Sequence, residues 1–279
     1  MDTKSLHVIG TGRSGTTALF TSILSDFQVG WISAVDGRLP MTVPGLHHLS
    51  KLAVGPFRPS NEAMRYYQRI GFTMDFHTSL NRPVRSADLS EAMWSRLRAA
   101  YRRIGGANSR PVVIKSTNNI VRLEPLLAID EMSRFVHIVR DPRAVVSSLL
   151  RTDFWSSTKS PRAEPITSST ADSEVAQAAL AANHWVYRVR EGLRVERENP
   201  ANFYRFAYED FVDNPARELS AIADFADLRP RHSQSPYRQL GGAIDSRSRE
   251  VWRDRLSAEQ IDVVNHLTAA VRAELGYLE

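Results

Sequence analysis

Short apolar runs alternate along the chain with longer segments of helical periodicity. The apolar runs span residues 6–9, 29–32, 111–115, 134–139 and 203–206. Short, mostly apolar runs predict central parallel strands, which are buried on both faces. After the first run, apolar residues at 16–25 recur at the spacing of one helix face. The alternation predicts an α/β fold whose sheet is doubly wound, mostly parallel and flanked by helices.

Capping residues mark where several of the helices begin. Asp88, with Glu91 three residues later, predicts a capping box at the start of one helix, and residues 257–260 predict another at the last helix. Asp141 directly before Pro142 is typical of an N-cap followed by the first helical position. The fourth predicted strand is therefore followed immediately by a helix.

Basic residues exceed acidic ones, 36 Lys and Arg against 31 Asp and Glu, so the net charge is +5 and the pI about 9.7. This excess favours anionic ligands. Many arginines recur at helical spacing: Arg96, Arg98, Arg102, Arg103, Arg188, Arg190, Arg194 and Arg197. Such spacing is more typical of a solvated helix face than of a nucleic-acid-binding stripe. We therefore expect a polyanionic cofactor or substrate and no nucleic-acid partner.

The sequence contains no cysteine, which excludes disulfide frameworks, zinc–thiolate sites and cysteine nucleophiles. No stretch approaches the roughly 20 apolar residues that a membrane-spanning helix needs. The first strand begins at about Leu6 and leaves no room for a signal peptide. We expect a single domain over residues 1–279, cytoplasmic and without a membrane span.

A glycine-rich loop joins the first predicted strand to the first predicted helix. In this context consecutive backbone N–H groups and the positive end of the helix dipole form an anion cradle, as in P-loop-like folds. Gly10 and Gly15 have the separation found in nucleotide triphosphatases, but Thr16 stands where that loop requires lysine. Arg13 supplies a cation instead, which suits a different anion. The residues expected to contact the anion are Gly12, Arg13, Ser14, Gly15, Thr16 and Thr17.

A second segment offers groups for a phosphate after the fourth predicted strand. Arg140 lies at the carboxyl end of that strand, where open α/β sheets bind their ligands. Ser148 follows eight residues later, about two turns into the next helix. A forked guanidinium and a hydroxyl can bind one phosphate group together.

Together these segments resemble the sulfotransferases that use 3′-phosphoadenosine 5′-phosphosulfate (PAPS), in particular the carbohydrate-type and bacterial branch. Residues 13–17, Arg-Ser-Gly-Thr-Thr, match the family's 5′-phosphosulfate loop, and residues 140–148 match its 3′-phosphate segment. Tyr208-Glu-Asp looks like a family segment whose tyrosine approaches the adenine. Arg249 begins a stretch that looks like the family's C-terminal segment, which implies that this arginine approaches the 3′-phosphate.

The sequence departs from the branch that acts on phenols and steroids. That branch carries a histidine base two residues after a lysine in the middle strand, whereas Lys115 is followed by Ser-Thr. Ala18 stands where that branch often has tryptophan. The resemblance therefore implies transfer of a sulfuryl group to an acceptor hydroxyl, of a saccharide or glycoconjugate, with release of adenosine 3′,5′-bisphosphate (PAP). Insertions near 37–80 and 153–172 would shape the acceptor pocket.

The resemblance also assigns residues to the chemistry. Arg13 and Lys115 would offset the charge that grows on the bridging oxygen, so we expect no metal. Relatives use a carboxylate after the second strand as the general base, which indicates Asp36. Glu62 and His77 are the rival bases.

Two other functions stay open from the sequence. One is an ATP-dependent small-molecule kinase on the same scaffold, which the missing loop lysine disfavours. The other is a non-catalytic module that binds PAP or PAPS through both phosphate motifs. No feature of the sequence indicates the oligomeric state.

Overall fold

A five-stranded sheet forms the centre of the protein, which a computed structural model describes over residues 5–33, 36, 59, 63–70, 72, 83–106, 110–156, 173–231 and 249–277. Its strands are β1 (Ser5–Ile9), β2 (Gly30–Trp31), β3 (Val112–Lys115), β4 (Arg134–Val139) and β5 (Phe203–Ala207). They are ordered β2-β3-β1-β4-β5, and each neighbouring pair is parallel. The predicted α/β class with a parallel sheet is confirmed.

Helices connect the strands and cover both faces of the sheet. Over the described residues they are α1 (Thr16–Asp26), α2 (Met64–Arg69), α3 (Glu91–Gly106), α4 (Leu123–Ile129), α5 (Pro142–Leu149), α6 (Asp153–Ser156), α7 (Glu174–Glu198), α8 (Tyr208–Asp213), α9 (Pro215–Ala226) and α10 (Ala258–Glu274). Short 3₁₀ segments lie at Ser86–Asp88, Thr117–Val121, Pro200–Asn202 and Val251–Asp254. No helix in these ranges is long and apolar enough to cross a membrane.

The pleat of each strand divides its side chains between the two faces of the sheet. Val136 and Ile138 of β4 pack with α1, α8 and α9, whereas Phe135 packs with the face that α2, α3 and α4 cover. A third cluster, which includes Val139 and Trp185, joins α5, α7 and α10 at the carboxyl end of β4. Apolar side chains are thus buried on both faces, which explains why the strands are mostly apolar.

Two of the predicted helix starts are confirmed. Asp141 caps α5, because its carboxylate accepts a hydrogen bond from the Arg143 N–H at 2.8 Å, and Pro142 takes the first helical position. A reciprocal capping box joins Ser257 and Gln260 at the start of α10. Each cap satisfies N–H groups that the first helical turn leaves without a partner.

The capping box predicted for α3 is wrong. Asp88 accepts from the Arg85 N–H at 2.8 Å and closes the 3₁₀ turn before the helix. Ser90 lies at the N-cap of α3, where its hydroxyl accepts from the Met93 N–H at 3.3 Å. Glu91 is therefore the first residue of the helix, since a serine beside it already supplies the capping oxygen.

The strand order places β1 between β3 and β4. The chain adds β2 and β3 on one side of β1 and then β4 and β5 on the other, so its connections reverse at β1. In open parallel sheets, ligands bind outside the carboxyl ends of the strands at such a reversal. The segments that follow β1, β3, β4 and β5 therefore meet at one surface, where the candidate site lies.

Candidate functional site

The loop after β1 runs against β4 and opens directly into α1. A Cβ added to Gly10 would lie 2.5 Å from the carbonyl oxygen of Ile138, so only glycine allows this approach. Gly15 is the N-cap of α1 with a φ of 88°, and a Cβ there would collide with the ring of Tyr208. Because glycine has no capping side chain, the N–H groups of the first helical turn are left for an anion.

The hydroxyl residues of the loop are not equivalent. Ser14 is fully buried, and its hydroxyl shares a hydrogen bond with the hydroxyl of Thr11. Thr16 is also buried, whereas Thr17 is exposed. The Ser14 backbone N–H also bonds within the loop, to the Thr11 carbonyl at 3.3 Å, so Ser14 holds the shape of the loop.

Arg13 connects the loop to the segment that follows β4. Its φ of 70° lies in the left-handed region, which residues other than glycine adopt at an energetic cost. Its Nε donates to the Ser148 hydroxyl at 2.8 Å, and its carbonyl oxygen accepts from Nη1 of Arg140 at 3.0 Å. The structure thus joins two motifs whose residues are 135 and 127 positions apart in the sequence.

The guanidinium of Arg140 rests on an aromatic ring. Its Cζ lies 4.3 Å from the centre of the Tyr208 ring, a cation–π contact, and the same ring packs against Gly15. Burial lowers the pKa of Arg140, and the neighbouring Tyr208 and Glu209 oppose that effect. Only 8% of the residue is exposed. A guanidinium fixed in this way is preformed for binding a phosphate.

The C-terminal segment packs against α5. Arg143 binds the Asp141 carboxylate, with Nη2 at 2.7 Å from Oδ2, and its guanidinium lies 4.4 Å from the centre of the Trp252 ring. Arg249, expected near the 3′-phosphate, forms an ion pair with Asp213, with Nη2 at 2.8 Å from Oδ2. The structure therefore brings Trp252 to the helix of the phosphate segment, but it places the Arg249 guanidinium at the end of α8.

Lys115 ends β3 on the other side of the β1 loop. It is 7% exposed and level with Val8 of β1, and its carbonyl oxygen accepts from the Ala63 N–H at 3.0 Å. β3 is not a neighbour of β4, the strand that leads to Arg140, because β1 lies between them. Lys115 and Arg140 instead flank the β1 loop from opposite sides.

Asp36 follows β2, the neighbour of β3 in the sheet. Its Oδ2 accepts from the Ser33 N–H at 2.8 Å and from the Ser33 hydroxyl at 2.6 Å, so a local turn fixes the carboxylate. Burial raises the pKa of Tyr66 in α2, and Tyr67 and the Asp36 carboxylate add to this shift. The rival bases lie outside the described residues: Glu62 and His77.

Several residues that support the site were not identified from the sequence. Arg188 of α7, expected on a solvated face, is buried and donates to the Thr117 carbonyl and the Asn118 side chain, both at 2.8 Å. Glu209 and Tyr277 form a hydrogen bond of 2.8 Å at the end of β4. Arginines at helical spacing look alike in sequence whether their face meets solvent or protein. Glu209 belongs to the Tyr208-Glu-Asp segment, which is a local signal for this residue but not for its contact with Tyr277.

The charges of the site are those of an anion-binding surface. Arg13, Lys115 and Arg140 contribute three cations around the N-terminus of α1. Within the described ranges, no group of three or more His, Cys, Asp and Glu residues could hold a metal ion. The arrangement suits a ligand with more than one anionic group, bound by backbone N–H groups and guanidinium side chains.

Three solved structures have the same fold over nearly the whole chain. Sulfotransferase STF9 from Mycobacterium avium aligns with a TM-score of 0.60 and 18% identity over 98% of this chain and 77% of its own. Sulfotransferase STF1 from Mycobacterium tuberculosis H37Rv aligns with a TM-score of 0.55 and 15% identity over 97% of this chain and 77% of its own. The sulfotransferase domain from the curacin biosynthetic pathway aligns with a TM-score of 0.51 and 16% identity over 95% of this chain and 97% of its own. At these identities the likeness shows the fold.

The sequence of the chain matches no curated protein. It does match the profile described as the sulfotransferase family, over residues 6–232. That range contains the loop after β1, Arg140 and Tyr208, so the match confirms the resemblance and the prediction of an enzyme of this kind. The chain therefore belongs to the sulfotransferase family.

Proposed function

We propose that this protein transfers a sulfuryl group from PAPS to an acceptor hydroxyl of a saccharide or glycoconjugate and releases PAP. The observation that carries the proposal is the junction of Arg13, Arg140 and Ser148 beside the N-terminus of α1. It combines an anion cradle with a separate guanidinium and hydroxyl. PAPS carries two anionic groups, a 5′-phosphosulfate and a 3′-phosphate, which correspond to these two parts.

Each part of the junction has a place in donor binding. The N–H groups of the loop and of the first turn of α1 would hold the 5′-phosphosulfate, while Arg140 and Ser148 would hold the 3′-phosphate. Tyr208, of which 6% is exposed, would act mainly by supporting the Arg140 guanidinium and would meet the adenine only at its exposed edge. Arg249 would have to leave Asp213 in order to reach the 3′-phosphate.

The reaction requires an in-line nucleophile and stabilisation of the leaving oxygen. The oxygen of the acceptor hydroxyl forms a bond to sulfur while the bond between sulfur and the bridging phosphate oxygen breaks. Arg13 and Lys115 would offset the negative charge that develops on that oxygen of PAP. Asp36 would accept the proton of the acceptor hydroxyl, and Glu62 and His77 remain the other candidate bases.

The acceptor is proposed to bind on the β3 side, where α2 meets Lys115. The insertions near 37–80 and 153–172 would complete the pocket within a single domain over residues 1–279. Much of both insertions lies outside the described residues. The resemblance to the carbohydrate-type branch supports a saccharide or glycoconjugate acceptor. The proposed compartment is the cytoplasm.

Turnover of labelled PAPS against saccharide, lipid and peptide acceptors tests the proposal. We expect sulfated saccharide product in excess EDTA, because Arg13 and Lys115 supply charge that a metal supplies in kinases. Activity that chelation abolishes and magnesium restores would favour the kinase, which would also bind ATP with magnesium in preference to PAP. Tight PAP binding without product from any acceptor would favour the non-catalytic module.

A further inference from the structure

The peptide groups on both sides of Arg140 are bound by two side chains from distant parts of the chain. The Asp141 N–H donates to Oε1 of Glu209 at 3.2 Å. The Tyr277 hydroxyl donates to Oε2 of Glu209 at 2.8 Å and lies 3.2 Å from the carbonyl oxygen of Val139, a three-centre arrangement. The Glu209–Tyr277 pair therefore holds the residue before Arg140 and the residue after it.

A specific helix ending brings Tyr277 to this position. Gly276 has a φ of 76°, and its N–H donates to the carbonyl of Ala273 at 3.2 Å. The N–H of Tyr277 donates to the carbonyl of Arg272 at 2.9 Å. These two bonds form a Schellman motif, which ends α10 and turns the chain toward the sheet.

The surroundings keep the pair in its hydrogen-bonded form. Burial raises the pKa of Glu209, and the bonds from Tyr277 and Asp141 oppose this shift. Burial and the Glu209 carboxylate raise the pKa of Tyr277, so its hydroxyl retains its proton and remains a donor. The carboxylate also opposes the burial that lowers the pKa of Arg140, and it thereby favours the charged guanidinium.

We propose that Glu209 and Tyr277 are positioning residues that set Arg140 for binding the 3′-phosphate of the donor. The inference rests on the proposed function, because it takes Arg140 as the residue that binds the 3′-phosphate. A long, flexible side chain binds more tightly when both of its ends are fixed before the ligand arrives. Tyr208 fixes the guanidinium, and the pair fixes the backbone from which it extends.

The substitution Tyr277→Phe removes the hydroxyl and keeps the ring. It leaves the Glu209 carboxylate and the Val139 carbonyl with one donor fewer, which loosens the backbone before Arg140 and the carboxylate that holds the backbone after it. We expect the affinity for PAP to fall about tenfold, a change of about 1.4 kcal/mol. The affinity for AMP should stay within about twofold, because AMP lacks the 3′-phosphate and the loop after β1 is unchanged.

Tyr204 and Glu218 provide a matched control pair. Their hydrogen bond is also 2.8 Å long, and burial raises the pKa of Tyr204 as it does that of Tyr277. The strand register places Tyr204 level with Val136, four residues before the phosphate-binding arginine. Tyr204→Phe should therefore destabilise the fold to a similar extent without changing the ratio of PAP to AMP affinity.

Calorimetric titration of the full chain with PAP and with AMP tests the inference, with thermal melting as the check on folding. The ratio of the two affinities should fall in Tyr277→Phe toward its value in Arg140→Ala and stay at the wild-type value in Tyr204→Phe. A folded Tyr277→Phe protein with the wild-type ratio, or an equal fall in Tyr204→Phe, would overturn the inference.

Two further outcomes are a Tyr277→Phe protein that does not fold and a wild-type protein that does not distinguish PAP from AMP. If Tyr277→Phe does not fold, Glu209→Gln replaces it under the same criterion, since glutamine keeps the shape of the side chain and removes the charge. A wild-type protein that binds PAP and AMP equally would overturn the proposed function, and with it the role of Arg140 on which the inference rests.

Discussion

The two sides of β1 differ in how their site residues are held. On the β4 side, the Arg140 carbonyl accepts a hydrogen bond from the Trp185 indole N–H at 3.1 Å, and the Arg140 guanidinium packs on the Tyr208 ring. Both partners of Arg140 are therefore 45 or more positions away in the sequence. On the β3 side, Asp36 is fixed by two bonds to Ser33, three positions away. Long-range contacts build the donor side, whereas a local turn holds the candidate base.

This difference indicates which part of the enzyme is free to vary. A side chain held by several elements cannot move without disturbing the sheet and two helices, so the donor side is rigid and preorganised. A carboxylate on a short turn can be moved by a few substitutions at little cost to the fold. A constant donor side beside an adaptable acceptor side suits a family that combines one donor with different acceptors.

The largest expected effect lies on the acceptor side. Asp36→Asn keeps an oxygen for the bonds from Ser33 but removes the base, so kcat should fall about a thousandfold. PAP affinity should stay unchanged, as measured by steady-state rates and PAP titration. Asp130→Asn is the control, because Asp130 also accepts from a serine hydroxyl at 2.8 Å but precedes β4 at the amino end of the sheet. Near-normal turnover of Asp36→Asn would move the assignment to Glu62 or His77.

The two cations proposed to flank the sulfuryl group should come next. If Arg13 and Lys115 act as charge builds on the leaving oxygen, each change to Ala should lower kcat and kcat/KM together by about a hundredfold. PAP affinity should change much less. Steady-state kinetics and PAP titrations of the two variants measure this contrast. A folded Lys115→Ala enzyme with near-normal turnover would leave Arg13 as the only cation proposed at the sulfuryl group.

Arg140→Ala should show the opposite pattern, since the 3′-phosphate lies away from the reacting sulfur. Loss of a charge-assisted bond should weaken PAP binding about 10- to 100-fold, with a smaller effect on kcat. In the wild type, PAP at a hundred times its Kd should stabilise the fold by about 2.7 kcal/mol, and AMP at the same concentration by less. Equal thermal shifts with PAP and AMP would contradict the assignment of Arg140 and Ser148.

The smallest expected effect concerns two buried histidines, His7 of β1 and His137 of β4. His7 shares a hydrogen bond of 3.2 Å with Asn119 after β3, whereas His137 of β4 packs against Gly192 of α7. Burial lowers the pKa of each to about 3, and Arg205 adds to the shift at His137. The unfolded chain binds these protons near pH 6.5, so stability is present above that pH and falls as the pH drops toward 3.

Urea unfolding at pH 7 and pH 5 measures this effect. Each histidine should remove about 2 kcal/mol of stability over that interval. His137→Leu should remove about half of the pH dependence, and among the described residues neither ring nitrogen of His137 has a hydrogen-bond partner to lose. An unchanged slope in that variant would mean that His137 is not held neutral in the fold.

The sequence by itself determined the parallel α/β fold, and it predicted the residues of the proposed donor side. Apolar runs, the glycine spacing of the loop and the cap at Asp141 are patterns of a few adjacent residues, and strand, turn and helix preferences act over that range. For the same reason Arg13, Arg140 and Ser148 could be named from their local motifs. The hydrogen bonds between them join residues 127 and 135 positions apart, so they depend on the folded chain.

Tertiary structure alone decided which of these elements are neighbours. It placed β1 between β3 and β4, because strand order depends on how the helices cover the sheet and not on any single strand. It buried Arg188, because α7 lies against the segment that follows β3. It also joined Tyr277 to Glu209 across 68 positions. A hydrogen bond between distant residues forms only when the chain between them has folded, so the sequence contains both residues of that pair but no local pattern that connects them.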